Sequence, residues 1–156
     1  MLSFFNCGSN QIPSDKEMID FFNSHEDEFE KLAIMVEEDK FDHFPLRERE
    51  KNMGISLDIS EERISEYMNI MEKLSIEAIR HPTKSRGRNT IVFMYMGKGD
   101  ATWGIDKGFE YCPDSLLMEE TVFTESELWD EALKHTNIIL YKNINAKWNL
   151  FLWYDK

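Results

Sequence analysis

Metal and nucleophile chemistry requires histidine, cysteine or carboxylate groups at short, fixed spacings. The four histidines, His25, His43, His81 and His135, fall into no HExxH, HxH or CxxC-like pattern, so neither a metal centre nor a cofactor is expected. Asp39, Asp42 and His43 are near neighbours in sequence, which an acidic loop explains as well as a cation site. Cys7 and Cys112 are far apart in the chain, which permits a disulfide in an oxidising compartment without implying one. No sequence neighbour offers Cys112 a base, so it reads as a small apolar residue at a strand end. GKGDATWG, residues 97–104, lacks the GxxxxGK[ST] order and no helix pattern follows it; it reads as a connection between strands. Asp100 and Asp106 flank that connection. With a tyrosine such as Tyr95 they would suit acid–base catalysis in the mouth of a sheet, although acidic residues in turns are ordinary and the structural reading weighs more.

Charge is the stronger signal. The chain of 156 residues has 30 acids and 18 bases, a net charge of −12. Residues 14–72 hold 18 of the acids and 7 of the bases. Phosphate backbones and anionic bilayers are held by Lys and Arg, so nucleic acid and a charged membrane surface are excluded as partners, and a basic protein is the expected one. The candidate contacts on the first helix are Glu26, Glu30, Glu37 and Glu38. Acidic helices also serve solubility alone.

The elements that position these residues follow from local signals. Pro13 and then Ser14-Asp15-Lys16-Glu17 form a capping box, which starts a helix at Asp15. Met18, Phe21, Phe22, Phe29, Leu32, Ala33 and Val36, with His25 on the same stripe, predict one long amphipathic helix to about Glu38. A polar, exposed linker with Pro45 and Gly54 is expected next. A second helix begins near Ser60 with Ile64, Tyr67, Met68, Met71 and Leu74 on one stripe, and ends near Ser75. From residue 82 the period becomes that of strands: Thr90 to Met96, then GIDKGFEYC returning antiparallel over 104–112. A short helix is predicted at Glu125 to Leu133, capped by Thr124 or Ser126. NIILYKNI and WNLFLWYDK around a turn at Asn145-Ala146-Lys147 make a terminal hairpin.

Helices followed by strands argue for an α+β domain, two N-terminal helices packed on an antiparallel sheet of about four strands. The domain is expected to span 14–156, one core with no internal repeat, preceded by an uncharged, flexible lead segment over 1–13. In the last strand, Trp148, Leu150, Leu152 and Tyr154 face one way and Asn149, Phe151 and Trp153 the other. One face packs on the helices. The second is either a recognition surface, with Tyr141, Trp148 and Trp153 as candidate contacts, or is covered by residues 113–134 through Leu116, Leu117, Phe123 and Trp129.

Cys7 with its short polar spacer, PSDKEMIDFFNSHEDEFEKLAIMVEED, GIDKGFEY and ILYKNINAKWNLFLWYDK together resemble a group of small bacterial envelope proteins, many of them known only as lipoproteins of unknown function. The resemblance covers most of the chain, and its motifs are structural. It implies lipid attachment at Cys7 and a cell-envelope location, periplasmic or lipid-anchored, if a signal lies upstream; otherwise the location is cytoplasmic. It brings no catalytic residues. The expected function is a non-catalytic acidic binding protein, most concretely an immunity-type protein that neutralises a basic toxin or other protein partner. The alternatives are a small hydrolase or isomerase with a carboxylate site in a curved sheet, and a structural envelope lipoprotein.

Overall fold

The computed structural model describes residues 12–45, 57–80, 90–99, 104–113 and 122–156. In chain order the elements are α1 (Asp15–Ser24), α2 (Glu26–Asp39), β1 (His43–Phe44), α3 (Glu61–Leu74), β2 (Ala78–Arg80), β3 (Ile91–Gly99), β4 (Gly104–Tyr111), β5 (Val122–Phe123), α4 (Leu128–Ala132), β6 (Asn137–Asn143) and β7 (Trp148–Asp155). The fold is α+β, and its seven strands form one sheet in the order β1-β2-β3-β4-β7-β6-β5. Every pair is antiparallel except β5 with β6, which makes the sheet mixed.

Alternation along the strands sends one set of side chains to the helices. Phe93, Phe109, Tyr111, Trp148, Leu150 and Leu152 meet Phe22 and Phe29 of α1 and α2 and Tyr67, Met71 and Leu74 of α3 in a single core. Trp148 is its centre, with Phe22, Phe29, Phe93 and Tyr111 rings at 5.1, 5.7, 5.4 and 4.9 Å between centroids. A smaller cluster of Met94, Tyr141 and Phe151 lies on the opposite face.

The capping box at Ser14 and Glu17 forms as its spacing requires, and Ser60 caps α3 through the Arg63 N–H. Other expectations are corrected. The single long helix breaks at His25, whose backbone N–H bonds Phe22 O while Nδ1 lies 3.0 Å from Phe21 O and 2.9 Å from Ser24 Oγ. These local bonds close α1 and let both halves wrap the sheet. The linker after α2 is not wholly exposed, because Phe41 and Phe44 pack on Tyr67 at 5.2 and 5.1 Å; its run from Arg47 to Lys51 lies outside the described residues. Met68 faces solvent. The helix near the end shortens to Leu128–Ala132 and begins after Glu127, not Thr124 or Ser126. The sheet exceeds four strands because β1, β2 and β5 are only two or three residues long, too short to show a period. The lead segment is not wholly separate from the core either: Ile12 packs on it, and Pro13 O accepts a hydrogen bond from Lys107 Nζ at 2.7 Å.

Candidate functional site

Six of the seven acids of α2 fall into two sets by what they face. Toward α3 they are paired: Glu28 with Lys73, Glu38 with Arg63 at 2.8 Å and Asp39 with Arg63 at 2.7 Å, while Lys31 reaches back to Glu66 at 2.7 Å. Arg63 also stacks over the Tyr67 ring and donates to Met35 O near the C-terminus of α2. The Tyr67 hydroxyl donates to Asp39 at 2.8 Å, and burial together with that carboxylate pushes its phenol up. Glu38, expected as a partner contact, is thus tied to α3.

The other set, Glu26, Glu30 and Glu37, shares one stripe by its spacing and borders the turn of the terminal hairpin. Glu26 Oε1 accepts from Asn145 Nδ2 at 3.1 Å, and Glu30 Oε1 from the Trp148 indole at 2.6 Å. Both donors are neutral. Among the described residues no lysine or arginine pairs with any of the three. Tyr111 lies beside them, its phenol pushed up by burial and then by Glu37, with Lys147, 5.9 Å above the ring centroid, pulling the other way. The surface is an acidic edge where α2 meets the hairpin turn. Tyr111, Asn145 and Lys147 belong to it although their sequence positions give no sign; only the pairing of β4 with β7 brings them under α2.

The aromatic candidates separate by face. Trp148 has no exposed surface and is a core residue, its indole N–H used by Glu30. Tyr141 is buried on the opposite face, in ring contact with Phe123 at 6.1 Å. Trp153 shares that face and is partly exposed. Of the residues expected to cover the face, Trp129 packs instead on Tyr154, on the helix side; Leu116 and Leu117 lie outside the described residues. Asp106 lies on the same face as Trp153, whereas Tyr95 packs on Phe21 and Phe109 toward the helices. The sheet therefore separates the proposed catalytic pair. Cys7 and Asp100 lie outside the described residues, and Cys112 is buried with Asn149 Nδ2 at 3.8 Å.

A buried charge cluster escapes sequence inspection altogether. Asp15 and Lys107 are fully buried at 2.7 Å, Lys142 joins at 2.8 Å, and Leu128 N–H donates to the same carboxylate. In return Glu127, ahead of α4, accepts from Asp15 N–H at 2.8 Å, so each helix start is capped by an acid from the other. Among the described residues no helix is long and apolar enough to cross a membrane. No known protein family, no curated protein and no solved structure matches the chain.

Proposed function

We propose that this protein is a non-catalytic binding protein that meets a basic protein partner through the acidic edge of α2, most concretely an immunity-type protein that neutralises a basic toxin. The observation that carries the reading is the contrast within α2: acids facing α3 are matched by Lys31, Arg63 and Lys73, while Glu26, Glu30 and Glu37 meet only neutral donors or none among the described residues. Uncompensated charge on one helix edge costs the folded state self-repulsion and speeds encounter with a surface of opposite sign. Lipid attachment at Cys7, with a place at the cell envelope, belongs to the same proposal.

Co-purification from the native host through a C-terminal tag tests it, with washes at low and then high salt. One basic protein retained in stoichiometric amount and released by salt is the expected result. A clean monomer that retains nothing counts against the reading. Membrane fractionation and mass spectrometry of the Cys7 peptide test the anchor, and an unmodified cysteine removes it.

A further inference from the structure

Among the described residues, Val122 and Phe123 are the one adjacent pair of large apolar side chains left open to solvent, 46% and 41% exposed. Ile34, Met68 and Leu133, the other exposed ones, come one to a helix or helix end. The pair makes up all of β5, and β5 ends the sheet beyond β6. The parallel ladder with β6 fixes what its backbone offers. Val122 lies beside Leu140 and Phe123 beside Tyr141, and Thr124 N–H donates to Tyr141 O at 3.1 Å. Successive residues of a strand bond toward opposite edges, so the N–H and C=O of Phe123 both point away from β6. No described residue bonds either group. A strand edge in this state is a template for another strand.

Both faces of this edge are apolar. Val122 leaves on the side of Leu140, toward the helices, and Phe123 on the side of Tyr141, with the two rings 6.1 Å apart. Phe123 thereby carries the cluster of Met94, Tyr141 and Phe151 out to the sheet edge. The charge that follows β5 is of one sign: residues 122–133 hold Glu125, Glu127, Asp130 and Glu131 and no lysine or arginine. Glu127 is used on Asp15 N–H and Glu131 on Lys134. Glu125 and Asp130 are exposed, and neither pairs with a described cation.

We propose that β5 is the docking edge for an extended segment of the basic partner, which adds to the sheet by exchanging backbone hydrogen bonds with the N–H and C=O of Phe123. Apolar side chains of the segment pack on Val122 and Phe123, and its lysines or arginines meet Glu125 and Asp130. Charge selects this occupant over a second copy of the chain: two copies joined through β5 would bring like charges together on molecules of net charge −12. The inference rests on the basic-partner reading and adds a contact at the sheet edge, apart from α2.

The test titrates the full wild-type chain with the capped peptide Lys-Val-Lys-Val-Lys, followed by nitrogen–proton NMR. A saturable shift is expected at the Phe123 amide, with its exchange with solvent slowed about tenfold at saturation. N-methylating every peptide amide keeps the charge and removes the backbone donors, so binding should weaken about tenfold. Combining Glu125→Gln with Asp130→Asn should weaken it about threefold, and the capped peptide Glu-Val-Glu-Val-Glu should not bind. An N-methylated peptide that binds equally well, or an unmoved Phe123 amide, overturns the proposal. A Phe123 amide that shifts with protein concentration alone, together with a dimer in sedimentation, replaces the proposed occupant with a second copy and overturns it. Phe123→Pro removes the outward donor and spares the bonds to β6; should that variant fail to fold, the peptide arms on the wild-type chain decide. Equal capture of a basic protein by wild type and folded Phe123→Pro overturns the edge and leaves the partner reading standing. Peptide binding at Phe123 with no basic protein captured upholds the edge and removes the partner reading.

Discussion

Asp15 and Asp106 are opposite solutions to enclosing a carboxylate. Burial by itself raises Asp15, but the hydrogen bonds and charges of Lys107 and Lys142 and the Leu128 N–H outweigh it, so the carboxyl lies below its ordinary value of 3.8. Removing one partner of a buried ion pair strands the other, so Asp15→Asn is expected to cost about 3 kcal/mol in urea unfolding at pH 7. The unfolded carboxyl binds its proton before the folded one, so this stability is intact above 3.8 and is lost as pH falls through the lowered folded value. The difference between wild type and variant should shrink over that acid window and stay flat above it. Asp106 has the reverse sign, because its folded carboxyl lies above its ordinary value. It weakens the fold at neutral pH, and the penalty fades as pH falls through the raised value. Asp106→Asn should therefore raise the urea midpoint at pH 7 and lose that gain near pH 4; a clear loss at pH 7 would show that Asp106 is held by partners that stabilise it.

The elements show which local signals suffice and which do not. Where β3 changes register between Met94 and Met96, β4 passes so close that a Cβ on Gly108 would stand 2.1 Å from Phe93 O. Backbone on both sides leaves nothing to yield, so Gly108→Ala should abolish cooperative folding, read as loss of a thermal transition by circular dichroism. Arg63 joins α2 to α3 through a planar fork on Glu38 and Asp39 and a stack on Tyr67. Lysine keeps the charge and loses that geometry, so Arg63→Lys should cost about 1–2 kcal/mol, measured by urea unfolding. The starts of α1 and α3 and the alternation of β7 were legible because a cap or a two-residue period needs only neighbours in sequence. The break at His25 was not, since the apolar stripe runs through it unbroken and only side-chain bonds to Phe21 and Ser24 reveal it. Strands β1, β2 and β5 carry no period and exist through their partners. The alternation of β7 separates Trp148 from Trp153 without saying which face the helices cover, so Trp148 reads equally well as surface or core. Glu26, Glu30 and Glu37 were legible only together with Glu38 as candidate contacts, whereas their separation from Glu38 depended on where Lys31, Arg63 and Lys73 point.

Charge across the molecule ties these observations to association. The excess of acids is concentrated in residues 14–72, and the α2–α3 seam consumes part of it through three bases, leaving the edge beside the hairpin turn negative. Glu26 and Glu37 form no ion pair with any described residue, and a glutamine carbonyl can still accept the Asn145 Nδ2 bond that Glu26 takes, whereas Glu30 carries the bond from the enclosed Trp148 indole. Converting both to glutamine should leave the melting temperature unchanged, because no described bridge is broken. The same double variant should slow association with the basic partner by about tenfold at low salt and flatten the dependence of its rate on ionic strength, with dissociation changed little. Stopped-flow association over a salt series measures this directly. A rate and salt slope equal to those of the wild-type chain would remove the α2 edge from the interface, because a charge that contributes nothing to steering at low salt is not near the path by which the partner approaches.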